Sequence, residues 1–143
     1  MAHRYFIVLF FSVICATSVF AEDIVVVANQ KNSVSKLSRD EVIDLYMGRN
    51  RLLSSGITAI PLDLPATSVE RENFYLRLTG KSMSQINAYW ARLILTGRAS
   101  PPTLMHSQAE AIQMVTDNRS AVGYVNKSNA NSKVKVVFEL DEK

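Results

Sequence analysis

Ile24-Val-Val-Val-Ala28 is apolar without a break, and this run constrains the fold more than any other stretch. In a strand, successive side chains point to opposite faces of the sheet. A run with no polar alternation therefore needs cover on both faces, as strands inside an α/β sheet have.

The rest of the chain supplies that cover. The polar loop Asn29 to Lys36 leads to Ser38, which caps a helix with Glu41 three residues on, the spacing of a capping box. Val42, Leu45 and Tyr46 form that helix's apolar stripe, and Gly48 ends it. Arg49 to Ser55 reads as a turn, and Ile57 to Ile60 as a second strand. Pro61 to Phe74 then reads as a strand end, a Pro-stiffened loop and a helix start, with Thr67 or Ser68 as N-cap. That helix turns Phe74, Tyr75 and Leu78 inward and stops at Gly80. Ser82 and Gln85 open the next, where Ile86, Tyr89, Trp90, Leu93 and Ile94 recur at helical spacing up to Gly97. It is the most apolar helix and is expected to be the main packing element. Pro101-Pro102 breaks the chain, and Ser107 with Glu110 opens a last helix lined by Ile112 and Val115. Ala121 to Val125 and Lys133 to Leu140 read as strands. The loops Gln30 to Lys36 and Asn126 to Lys133, with the tail Asp141 to Lys143, are expected to be the least fixed parts. The order β-α-β-α-α-α-β-β has too many helices for a purely antiparallel sheet. It predicts one α/β domain with a mixed central sheet and helices on both faces.

The first residues have the pattern of a secretory signal. Arg4 precedes an apolar run from Tyr5 to Val19, and Val19-Phe-Ala21 places small residues where a signal peptidase reads them. Cleavage before Glu22 leaves 122 residues, 22–143, as a single domain without cysteine. Cys15 follows Ile14, where a lipid-anchored signal needs a small residue. An exported domain without disulfides fits a periplasm. The mature chain carries 15 basic and 13 acidic residues in no continuous stripe, which argues against a nucleic-acid partner. With no cysteine nucleophile, one histidine (His106) and no metal-ligand spacing, the mature chain offers neither a catalytic nor a metal motif. No cofactor motif is present, and the chain does not read as an enzyme.

The helix start at Thr67 and Ser68 is the candidate site. A strand that feeds a helix at the rim of an α/β sheet presents free N–H groups, and the helix dipole favours an anion there. Thr67 and Ser68 offer hydroxyls, Val69 to Arg71 offer N–H groups, and the Arg71 side chain offers charge-assisted bonds. A second reading stands beside this one. Thr67-Ser-Val-Glu70 also has capping-box spacing, so Glu70 would occupy those donors itself. Asp63 and Glu70 would meet a bound anion as like charges, each close pair costing on the order of 1 to 4 kcal/mol near a surface.

Four separated segments resemble the periplasmic phosphate-binding proteins of ABC transporters, which have the type 2 periplasmic binding fold. They are Leu37 to Gly48, Gly56 to Asp63, Leu95 to Pro102, and Asn118-Arg-Ser-Ala-Val-Gly-Tyr-Val125. The last resembles the family's Asn-x-x-Ala-Ile-Gly-Tyr strand and is the most specific. The resemblance implies a single lobe of that fold, in a short member of the family that binds phosphate or a related oxyanion for a membrane permease. The family's anion loop, Arg-x-x-Ser-Gly-Thr, falls on Asp63, Ala66, Thr67 and Ser68, so an acid stands for the arginine and the glycine is absent. Thr67 and Ser68 keep hydroxyls, and with Arg71 they are the expected ligand-binding residues. The departures imply an alternative, a ligand-free lobe that docks on a sensor or other envelope partner. A second copy supplying the absent lobe, in a homodimer, is a further expectation.

Overall fold

The computed structural model describes residues 22–140. The signal-peptide reading of residues 1–21 and the tail 141–143 lie outside the described residues.

The apolar run becomes β1 (Ile24–Asn29), buried at every position. It lies between β4 (Ala121–Asn126) and β5 (Val134–Glu139) and pairs antiparallel with both. On the far side of β4, β2 (Ile60–Asp63) runs parallel to it, and β3 (Thr103–Leu104) is parallel to β2 at the edge. The five-strand order β3-β2-β4-β1-β5 is the expected mixed sheet.

Helices cover both faces, as the unbroken run requires. On one face lie α1 (Arg39–Tyr46) and α2 (Val69–Thr79). The Tyr46 hydroxyl of α1 donates to the carbonyls of Leu62 and Val122, which fixes the helix over β2 and β4. Phe74 of α2 stacks on Tyr124 of β4 at 3.8 Å between ring centres. On the other face α4 (Gln108–Asp117) brings Val115 over Gly123, where a β-carbon would lie 3.5 Å from a Val115 methyl. Asn29 Nδ2 at the end of β1 donates to the Val115 and Thr116 carbonyls and holds the end of α4.

Four expectations need correction. The second strand begins at Ile60, not Ile57; Thr58 instead forms an isolated bridge to Leu52, within the turn region. The two-residue strand β3 was not expected, because two residues after Pro101-Pro102 carry no periodicity. Helix α3 (Met83–Leu95) is peripheral rather than the main packing element. It buries only Ile86 and Trp90, leaves Ile94 and Leu95 exposed, and packs on α2 and on the Gly48 turn, where Tyr89 donates to the Met47 carbonyl. Finally, the loop after β1 is tied down: buried Asn32 donates to the Arg119 carbonyl and accepts from Val34 N. The same holds in part for the stretch after β4, which forms a 3-10 turn over Lys127–Asn129.

Candidate functional site

Because β2, β3 and β4 are parallel, their carboxyl ends share one rim of the sheet. The chain leaves β2 through α2 and α3 to reach β3, then crosses back through α4 to reach β4 on the other side of β2. Such a reversal opens a crevice outside the carboxyl ends of the strands, where ligands of open α/β sheets bind.

Two helix starts meet at this rim. Ser68 caps α2, its Oγ accepting from Arg71 N at 3.3 Å, and Ser107 caps α4, accepting from Glu110 N at 3.1 Å. Asn126 closes β4 between them. Its backbone N–H donates to Gln108 Oε1 at 2.7 Å, and its Nδ2 donates to Glu70 Oε1 at 3.4 Å. Gln108 and Glu70 are the first and second residues of α4 and α2, so Asn126 links the two positive helix ends.

The Thr67–Glu70 capping box is not formed. Ser68 is the cap, and the Glu70 carboxylate turns across to Asn126 instead of back onto its own helix. Thr67 is exposed at the rim and Ser68 half-buried beside it. The boxes at Ser38/Glu41 and Ser82/Gln85 form as expected. In the last, Ser107 caps α4, but the Glu110 carboxylate takes the backbone N–H of His106 one residue earlier. That bond, more than the His106 ring at 3.0 Å, holds the Glu110 carboxyl below its ordinary range.

Arg71 does not face the rim alone. Its Nε donates to Asp63 Oδ2 at 3.2 Å, its Nη1 approaches Met83 Sδ at 3.7 Å, and its guanidinium carbon sits 5.5 Å from the Tyr75 ring centre. Asp63, at the end of β2, is buried and collects three more donors. Tyr75 Oη donates to Oδ2 at 3.0 Å, while Tyr124 Oη and Leu64 N donate to Oδ1. Burial first, and the Asp63 carboxylate second, push the hydroxyls of Tyr46, Tyr75 and Tyr124 well above the ordinary phenol range, so all three stay protonated donors. The Asp63 carboxylate is thus matched by a cation and neutral donors of the chain itself and does not stand as a bare charge.

Sequence reading placed Thr67, Ser68 and Glu70 at this rim and missed Asn126, Gln108, Tyr75 and Tyr124. Tyr75 and Tyr124 fit an apolar core pattern, and the only signal of a second role was that a buried phenol needs a hydrogen-bond partner. Among the described residues no group of His, Cys, Asp and Glu is arranged to hold a metal ion, and no helix is long and apolar enough to cross a membrane. A groove of about 760 Å³ lies elsewhere, between Ser35 to Arg39 and Val136 to Glu139 on the edge strand β5, and holds none of the rim residues.

No protein-family model matches the sequence, and no curated protein matches it. Solved structures do match. An ABC-type phosphate transport receptor from Vibrio cholerae aligns at a TM-score of 0.65 and 19% identity, over 81% of this chain and 45% of that one. A candidate phosphate ABC transporter substrate-binding protein from Clostridium perfringens, with phosphate bound, aligns at 0.65 and 16% identity, over 81% and 44%. A possible phosphate binding protein from Planctomyces limnophilus aligns at 0.60 and 16%, over 81% and 40%. The chain spans less than half the length of each structure. At these identities the likeness concerns fold, and the fold is that of one lobe of the phosphate ABC transporter substrate-binding proteins.

Proposed function

We propose that the chain is a periplasmic solute-binding module of the phosphate type, which receives phosphate or a related oxyanion at the Thr67–Asn126 rim and works with an ABC-type permease. The observation that carries this reading is the meeting of two helix N-termini over the carboxyl end of β4, in a fold shared with structures whose descriptions name phosphate. Thr67, Ser68 and the N–H groups of Val69 and Glu70 supply the donors, and the helix dipoles supply positive potential. Arg71, expected from the sequence as a ligand, is paired with Asp63 and is not among these donors. The test is calorimetry on residues 22–143 with phosphate and with sulfate. Heat and a thermal shift that Thr67→Ala and Ser68→Ala weaken support the reading, and no response at millimolar ligand ends it. N-terminal sequencing of the exported protein tests cleavage before Glu22.

A second reading rests on a specific observation: carboxylates of the chain, Asp63 and Glu70, already sit among the donors of this region. In that case the lobe binds no solute and docks on a sensor or another envelope protein. Cross-linking in the native envelope would then trap one defined partner whose capture does not change with phosphate. The homodimer that would supply a second lobe predicts a dimer by analytical ultracentrifugation of the same fragment.

A further inference from the structure

Asp63 makes more hydrogen bonds than a buried carboxylate needs for mere tolerance. Four donors from three places converge on it: Leu64 N of its own strand end, Tyr124 Oη of β4, and Tyr75 Oη and Arg71 Nε of α2. The side chain is 8% exposed and that of Arg71 12%, so the cluster is nearly closed to solvent. The tyrosines are held apart from this bond by other contacts. Tyr124 stacks on Phe74, and Tyr75 packs edge-on to Phe74 and Tyr46. The donor geometry is therefore built by the core, not by Asp63 itself, and one cation with three neutral donors is a receptor for one small carboxylate.

We propose that this cluster is a preformed monocarboxylate pocket whose occupant is the chain's own Asp63, an intramolecular ligand that keeps free anions out of the inner corner. The pocket takes a planar carboxylate and not a tetrahedral oxyanion, because its donors close around two oxygens. It goes beyond the oxyanion reading of the outer rim and stands without it. If both hold, Asp63 confines a bound oxyanion to Thr67 and the α2 N–H groups.

Size-matched rescue tests this. Asp63→Ala removes a carboxylate group, which formate replaces atom for atom; Asp63→Gly removes one carbon more, which acetate replaces. Both variants and the unaltered protein are refolded and melted in formate, acetate, phosphate or chloride at equal ionic strength. Matched anions should raise the Tm of each variant by about 4 °C over chloride. The unaltered protein should not respond to formate or acetate, and Tyr75→Phe added to either variant should weaken the rescue. A variant that folds only in its matched anion supports the pocket equally. Equal melting in all four salts overturns it, and so does failure of both variants to fold in any of them, since the corner then needs a tethered side chain rather than an anion. A phosphate response of the unaltered protein reports on the outer rim alone, so the two readings fail separately.

Discussion

Arg71 Nε lies 3.2 Å from Asp63 Oδ2, with both side chains nearly out of solvent. This pair changes what an acid at the end of β2 means. Asp63 is not a repelling charge facing a ligand but the counter-ion of the cation that a ligand would otherwise use. Arg71→Met should therefore destabilise the domain by about 2 to 3 kcal/mol, because it leaves a buried carboxylate with neutral donors only. Urea unfolding of the two proteins measures this, and a loss below about 0.5 kcal/mol would show that the pair is not buried in solution.

Glu70 stands between two helix N-termini and bonds to Asn126. Glu70→Gln keeps an oxygen for that bond and removes the charge. Oxyanion binding should tighten several-fold, with stability changed by about 0.5 kcal/mol or less. Unchanged affinity in a protein that does bind phosphate would place the ligand away from this rim.

The cap of α2 separates two neighbouring hydroxyls. Ser68→Ala should cost about 1 kcal/mol of stability, whereas Thr67→Ala should cost almost nothing, since only Ser68 accepts from the Arg71 N–H. Equal costs, read by thermal melts, would contradict the cap assignment.

The buried tyrosines set an alkaline limit. In the folded chain the hydroxyls of Tyr46, Tyr75 and Tyr124 titrate above the ordinary phenol value. In the unfolded chain they lose protons near pH 10. The unfolded state then binds fewer protons, so stability is intact below about pH 10 and falls as pH rises beyond it. Absorbance at 295 nm and far-UV circular dichroism should show these three ionising only as helix signal is lost. Full ionisation in a chain that keeps its helix signal would contradict their burial.

Gly48 has φ +69°, and a β-carbon there would lie 2.8 Å from Trp90 Cη2. Gly80 has φ +73° with open space around it. Both Ala variants carry the left-handed backbone cost of about 1 to 2 kcal/mol, and Gly48→Ala adds a clash. It should be the less stable of the two by about 1 kcal/mol or more, in parallel urea titrations.

Some of this architecture is local, and local features are legible in a sequence. The unbroken run at Ile24 announces a strand covered on both faces, and Ser38, Ser82 and Ser107 mark helix starts that form where expected. Each of these caps rests on interactions within four residues. The site is different. Thr67-Ser-Val-Glu70 satisfies the capping-box spacing, yet Glu70 bonds to a residue 56 positions away because β4 ends there. Asp63 reads in the sequence as a like charge opposing an anion, whereas in the fold Tyr124, 61 positions on, and Tyr75 donate to it. The most apolar helix, around Trp90, lies at the periphery because α1 and α2 already cover that face of the sheet. The sequence by itself determined the helices, the long strands and the class of fold, since periodicity and caps are short-range physics, but not the two-residue strand β3 or the start of β2. Only the tertiary structure decided which charges neutralise one another, because that depends on which strand ends the topology brings to one rim.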